Sequence, residues 1–194
     1  MGSFFVFEGA DGVGKSTLSR RVNDQLGFRR FSFPGRKAGT LGHVVYDIHH
    51  NPANYDIDNI NDVSLQVLHV AAHIDLIESR IRPVLAQGQG VVLDRFWWST
   101  LIYGRHNGVD EESLRAMIEL EKLHWQDTLP DVVFLIDRPE PFGEKPDNWD
   151  RLRSRYSRFA TEEDHPYSIE IVKNTSSVAE AVDGVLDTIE QLKE

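Results

Sequence analysis

The chain has 194 residues, enough to bury a sizeable core as one large α/β domain or two small ones without covalent staples. It contains no Cys, which excludes disulfides, thiolate metal sites and cysteine nucleophiles. Lys and Arg total 21 against 31 Asp and Glu, a net charge of −10 that argues against nonspecific nucleic-acid binding and anionic membrane surfaces, yet leaves room for a local basic pocket around a small anion.

Strand and helix signals alternate along the chain. Phe4–Glu8 (FFVFE) reads as a strand covered on both faces, and Lys15–Gln25 as a helix after a glycine loop. Phe28–Phe33 reads as a second strand, Leu65–Leu85 as a long helix ending near Gly88, and Val91–Asp94 (VVLD) as a third strand. Asp110 is a plausible N-cap for a helix over Glu111–Trp125, which precedes a fourth strand, Val132–Asp137 (VVFLID). Leu152, Tyr156 and Phe159 share a helical face opposite Arg151, Arg155 and Arg158, a fifth strand covers Ile169–Val172, and Ser177 with Glu180 forms a capping box for a last helix. Such alternation implies crossover units and a mainly parallel sheet. No linker divides the chain, so one domain over residues 1–194 is expected, with the Pro-rich stretch 139–146 as a surface loop. No apolar run is long enough to span a bilayer, and the opening MGSFFVFEGADG turns acidic and Gly-rich too early for a signal peptide, so a cytoplasmic protein is expected.

The loop Gly9-Ala10-Asp11-Gly12-Val13-Gly14-Lys15-Ser16, followed by Thr17, satisfies the phosphate-binding pattern G-x-x-x-x-G-K-[ST]. The glycines let successive backbone N–H groups turn toward phosphate oxygens, and the helix beginning at Lys15 adds the positive end of its dipole. Lys15 can reach the β- and γ-phosphates of ATP, and the Ser16 hydroxyl can ligate Mg²⁺. Asp11 is an acid inside this cradle. It either orients a substrate group or caps the loop's own amides. Asp94 closes a buried strand at the same carboxyl end of the sheet, where ligands bind in open parallel sheets, and can hold Mg²⁺ or a Mg²⁺-bound water or serve as a strand-end cap.

Four blocks in order extend the reading. FFVFEGADGVGKST resembles the opening of thymidylate kinases, and Phe33-Pro34-Gly35-Arg36 with Thr40 and Gly42 resembles that family's F-P-x-R…T-x-x-G segment. Asp94-Arg95-Phe96-Trp97-Trp98-Ser99 with Tyr103 resembles its D-R-Y-x-x-S block, and Arg153-Ser154-Arg155-Tyr156 with Ala160 its late R-x-R-Y helix. The resemblance implies a three-layer P-loop fold with a five-stranded parallel sheet flanked by helices. It also implies transfer of a phosphoryl group from Mg·ATP to a pyrimidine deoxynucleoside 5′-monophosphate, dTMP by preference, and a homodimer. It assigns Arg36 and Arg95 to the acceptor phosphate as a bidentate clamp. Beside that stands a solvated basic loop formed by Arg29, Arg30, Arg36 and Lys37. It brings Arg153 and Tyr156 near nucleotide, and Phe33, Val70, Ser99 and Tyr103 around the acceptor. Trp97 and Trp98 read equally as a wall for the base or as core.

Two departures from the family stand out. The long helix lacks the Arg that reads the base: the region is Leu68-His69-Val70-Ala71-Ala72-His73-Ile74-Asp75, and His73 is read as a single-donor ligand or a structural histidine. The lid is reduced to Arg138–Asp150, whose Pro-rich composition excludes a long helix, and Gly12 stands where one branch of the family places an Arg. Arg138, Lys145, Arg151 or Arg153 must then supply the transition-state cation. The alternatives are kinases of another nucleotide, modified nucleotide or nucleoside, and a catalytically weak nucleotide-binding protein.

Overall fold

The computed structural model describes residues 1–192. Five parallel strands form one sheet in the order β2-β3-β1-β4-β5: β1 (Phe4–Glu8), β2 (Arg29–Ser32), β3 (Val91–Asp94), β4 (Val132–Asp137) and β5 (Ser168–Lys173). Composition explains the order. Every residue of β1, β3 and β4 is buried, as expected of apolar Val/Phe/Leu/Ile runs whose one charged residue is the carboxylate that closes each strand, whereas β2 (RRFS) and β5 (SIEIVK) each carry two charged residues and lie at the edges. Phe7 and Phe134, both fully buried, pair across the sheet centre with ring centroids 5.3 Å apart. Burying such a side chain contributes about 1.5–3 kcal/mol.

The helices cover both faces. They are α1 (Lys15–Leu26), α2 (Leu41–His50), α3 (Asp62–Leu76), the short α4 (Arg82–Ala86), α5 (Trp97–Asn107), α6 (Glu111–Trp125), α7 (Trp149–Glu162) and α8 (Val178–Gln191). The single helix expected over Leu65–Leu85 is continuous in direction but changes winding: a π-helical turn over Ile77–Ile81 separates α3 from α4. Pro83, at the start of α4, has no N–H to give to the preceding turn, which accounts for the local rewinding. The caps anticipated at Asp110 and Ser177 form, each accepting from the backbone N–H three residues on.

Two helices were not anticipated. In α2, Thr40 accepts from the His43 amide at 3.2 Å and starts a helix in a segment read only as a motif. In α5 (WWSTLIYGRHN), seven of the residues are buried, so the sequence shows no polar face to betray a helix. Trp97 and Trp98 belong to this buried helix and to the core. The Trp98 indole donates to the Tyr167 hydroxyl at 2.8 Å, and both indoles pack edge-on against Phe159, so neither forms a base-facing wall.

The register places Phe7 level with Asp94 and Glu8 level with Leu135. The loops leaving β1, β3 and β4 therefore emerge together at one edge of the sheet. Among the described residues no helix is long and apolar enough to cross a membrane.

Candidate active site

The loop after β1 depends on its glycines. Gly9, Gly12 and Gly14 take φ values of 139°, 76° and 97°, in the region that side chains disfavour. A Cβ at Gly9 would lie 2.5 Å from the Ile136 carbonyl oxygen, so the loop hugs β4 as no larger residue would allow. Lys15 is buried, and its Nζ donates to the Ala10 carbonyl at 2.5 Å across the loop. Burial and then the Arg95 guanidinium push its pKa down to about 8, against the opposing pull of Asp11, Asp94 and Glu8.

Glu8, the last residue of β1, is wholly buried and joins this loop to α5. One carboxylate oxygen accepts from the Phe96 and Ser99 amides (2.6 and 3.1 Å), and the other from the Gly9 amide (3.2 Å) and the Ser99 hydroxyl (3.0 Å). Burial drives its pKa up and Arg95 opposes this. Three amides at the α5 start and the loop meet in one side chain, the Ser99 amide sharing its proton with the Phe96 carbonyl at 3.0 Å. An acid closing a wholly apolar strand was the available signal for this role, and the sequence reading did not use it.

Arg95 follows β3 with φ 77°, an uncommon conformation for a side-chain-bearing residue. Its guanidinium donates to the Ser99 hydroxyl at 3.1 Å and pairs with Asp11, and it lies 5.4 Å from the Tyr103 ring centre. Asp11 also accepts from the Tyr103 hydroxyl at 2.6 Å. Burial raises the Asp11 pKa, but Arg95 and Lys15 outweigh it and hold the carboxyl below its usual range. Asp94 is buried and accepts from Arg30 at 2.8 Å, so Arg30 serves the end of β3 and is not part of a solvated basic loop.

A cleft of about 200 Å³ opens beside this cluster. It is lined by seven of the nine acceptor residues expected from sequence: Asp11, Phe33, Arg36, His73, Arg95, Ser99 and Tyr103. Arg36 is exposed and lies over the Tyr46 ring at 4.3 Å. Val70 and Tyr156 are not in the wall. Val70 is buried on the core side of α3, and the Tyr156 hydroxyl sits behind Ser99 at 2.9 Å from its Oγ, where burial pushes the phenol pKa upward. The structure adds residues that sequence reading missed: Tyr46, His49 and His50 from α2, Gln66 and His69 from α3, and Thr100 from α5. Of this set, His69 was the legible member, one turn before His73 on the same helix. Burial, followed by His73 and His49, pushes the His69 pKa down to about 3, so its ring is neutral. Its Nε2 lies 3.1 Å from His49 Nδ1.

The fourth strand's end carries a different cluster. Arg153 forks onto the Asp137 carboxylate at 2.6 and 2.9 Å, and Lys173 reaches the same group at 2.9 Å. The Arg153 hydrogen bonds, more than Lys173, hold the Asp137 pKa at about 2. Residues 138–148 form an irregular strap with no helix. The strap meets the glycine loop through the Phe142 amide, which donates to the Gly12 carbonyl at 2.8 Å, while the Trp149 indole just beyond donates to the Asp11 carbonyl at 2.7 Å. Arg138 lies 4.0 Å from the Phe142 ring centre and donates to the Asn174 carbonyl at 2.6 Å; Lys145 pairs with Glu140 and Asp150.

A family model described as thymidylate kinase matches residues 7–181, most of the chain. The chain belongs to the thymidylate kinase family. It is 34% identical to the thymidylate kinase of Legionella pneumophila (strain Corby) over 70% of this chain, spanning 64% of that relative's length. It is 29% identical to that of Lactobacillus helveticus (strain DPC 4571) over 98% of this chain and 96% of the relative. The crystal structure of thymidylate kinase from Ehrlichia chaffeensis matches in fold, with a TM-score of 0.77, 22% identity, and coverage of 97% of this chain and 98% of that one. Thymidylate kinases are nucleoside monophosphate kinases, and the three-layer P-loop architecture implied by the resemblance is the one this chain adopts.

Proposed function

We propose that the chain is a single kinase domain that transfers the γ-phosphoryl group of Mg·ATP to the 5′-phosphate of dTMP, giving dTDP and ADP. The observation that carries this reading is the continuity of the glycine loop with the Arg95–Asp11–Tyr103 cluster and the adjoining cleft. Donor phosphates belong in the loop 9–17, on its backbone N–H groups and Lys15. The acceptor phosphate belongs between Arg36 and Arg95. An acceptor phosphate oxygen forms the new P–O bond as the bond from the γ-phosphorus to the β-bridging oxygen breaks. No general base is required, because the acceptor is already anionic, and catalysis is positioning plus charge neutralisation.

Ser16 and Asp94 would hold Mg²⁺. Both offer hard oxygen atoms, which suits an ion that keeps several waters and needs only one or two protein ligands. When bound, the ion neutralises charge on the β- and γ-phosphates. Arg30 now engages Asp94, so it either shares that carboxylate or turns aside. Asp11 holds Arg95 in line with the acceptor phosphate, and the segment 138–150 acts as the lid, with Arg138 supplying its cation.

Exposed Val67, Leu120 and Leu123 on α3 and α6 support the homodimer, which light scattering of the purified chain tests directly. The decisive assay is coupled ADP release with a panel of nucleosides and nucleoside monophosphates. Turnover on dTMP, with dUMP and 5-substituted deoxyuridine monophosphates within modest factors and purine monophosphates poor, supports the reading. Preference for dGMP, dAMP or an unphosphorylated nucleoside overturns it.

A further inference from the structure

We propose that Asn174, the first residue after β5, is a positioning residue for the donor site: its side-chain amide holds the Val13–Gly14 peptide so that the Gly14 N–H faces the β-phosphate of the bound nucleotide. The inference rests on the donor-loop reading above and deepens it, by naming what aims one of the loop's amides.

Asn174 is 2% exposed, although the edge strand it follows is mostly exposed. A buried carboxamide is costly unless its polar atoms are bonded. Three bonds hold this residue. Its N–H donates to the Asp137 carbonyl at 2.8 Å, its carbonyl accepts from Arg138 at 2.6 Å, and its Nδ2 donates to the Val13 carbonyl at 2.8 Å. A carbonyl only accepts, so the side-chain atom facing Val13 is the nitrogen and not the oxygen. The two backbone bonds seat Asn174 at the end of β4. The third bond alone reaches the glycine loop, and among the described residues nothing else bonds the Val13 carbonyl.

A trans peptide is planar, with its C=O and N–H pointing in opposite directions. Drawing the Val13 carbonyl onto Asn174 therefore turns the Gly14 N–H to the opposite face of the loop. Among the described residues that amide donates to nothing, whereas the Gly14 carbonyl is committed to the Thr17 and Leu18 amides at 3.1 and 3.0 Å. A free N–H at the entry to α1 is the group an oxyanion takes.

The glycine itself is a second, independent observation. Gly14 has φ 97°, and a Cβ there would lie 2.5 Å from Asn174 Nδ2, so the side chain stands directly behind the loop backbone. Glycine also tolerates either orientation of the peptide that precedes it. Flipped, that peptide would turn a carbonyl oxygen toward the phosphates and repel them. The bond from Asn174 exists only in the unflipped state, so it weights the loop toward the orientation that binds.

The sequence Val-Gly occurs once in the chain, at residues 13 and 14. Protein labelled on the valine carbonyl carbon and the glycine nitrogen therefore gives one carbonyl–amide NMR correlation, which reports this peptide alone. In the wild type, saturating ADP moves the Gly14 amide proton downfield, as a new hydrogen bond to a phosphate oxygen requires. Asn174→Leu keeps the bulk of the side chain and both backbone bonds but removes the donor. It raises the ADP Kd, measured by calorimetry, and the ATP KM about tenfold, the low end for loss of one hydrogen bond to a charged group. It also abolishes most of the downfield shift and leaves the dTMP KM unchanged. Asn174→Asp is isosteric and serves where the leucine variant does not fold; it sets a carboxylate against the Val13 carbonyl and weakens ADP at least as much. Wild-type ADP affinity and an undiminished shift in a folded variant overturn the proposal. A structural role alone does so too, seen as a lowered melting temperature with the shift intact, or as a dTMP KM that rises with the ATP KM. If neither ADP nor ATP binds the wild type, the donor-loop reading fails and this inference with it. ADP binding that leaves the wild-type Gly14 proton in place sinks this inference alone.

Discussion

The glycine loop is flanked by two regions built in opposite ways. On the α5 side, Glu8, Arg95, Ser99, Tyr103 and Tyr156 form one web in which each polar group meets another, with Glu8, Ser99 and Tyr156 buried and Arg95 and Tyr103 half-buried. On the other side, the strap 138–148 is largely exposed and touches the loop through the Phe142 amide. Web charges are fixed before any ligand arrives, which is what electrostatic stabilisation of a transferring phosphoryl group requires. Strap charges, Lys145 above all, are paired with carboxylates of their own neighbourhood and must exchange partners to act. On the proposed reading, the fixed half serves the acceptor and the adjustable half closes over the donor.

Substitutions on the two sides test this division. Lys15→Ala, in the loop itself, should lower turnover by orders of magnitude in the ADP-release assay while the melting temperature stays near the wild-type value, since removing a buried cation is not disruptive when its removal also relieves desolvation. Near-normal turnover would dismantle the phosphate-loop reading. Arg95→Ala and Arg36→Ala should each raise the acceptor KM and lower kcat, with loss of a charge-assisted bond worth about 1.5–3 kcal/mol, or roughly ten- to a hundredfold. The web adds a difference between them: Arg95→Ala also strips Asp11 of its partner and should lower the melting temperature, whereas Arg36→Ala, exposed over Tyr46, should leave it unchanged. Equal melting temperatures would show that the web is no stiffer than the loop.

Trp149→Phe should have a smaller effect. It removes the hydrogen bond to the Asp11 carbonyl, worth about 0.5–1.5 kcal/mol, and should raise the ATP KM a few-fold while leaving the acceptor KM alone. The smallest effect concerns acid. The Asp137 pKa, held at about 2 by Arg153 and Lys173, lies below the ordinary carboxylate value. A depressed carboxylate stabilises the fold above the unfolded pKa, and that stabilisation is lost as pH falls from about 4 through about 2. Urea midpoints measured across that window should fall more steeply for the wild type than for Asp137→Asn. Parallel slopes would mean that the pairing has no thermodynamic weight.

The strands were legible because β1, β3 and β4 are buried on both faces and carry unbroken apolar runs, and the phosphate loop because its glycine spacing follows from backbone geometry. The α5 helix was not legible, since burial on all sides removes the polar stripe by which a helix announces itself. The same reason hid the role of Glu8 and left Trp98 open between a wall for the base and core, both settled by tertiary packing. His73 was placed in the cleft from its position along the helix, but its partner Glu121 lies 48 residues away on another helix, and no local pattern joins them. Arg30 looked like one member of a basic run, yet only the β2–β3 register brings it to Asp94.

One contact on the loop also makes the molecule its own optical gauge. All four tryptophans are buried, and Trp97, Trp98 and Trp125 pack against other aromatic rings, whereas the Trp149 indole points its N–H at the Asp11 carbonyl within the phosphate loop. Triphosphate seated there brings several negative charges close to one end of that indole, and an indole's emission wavelength follows the field along its ring. Filling of the donor site should therefore shift the intrinsic fluorescence of the unlabelled protein, and the shift should vanish in Trp149→Phe while the three other indoles continue to emit unchanged.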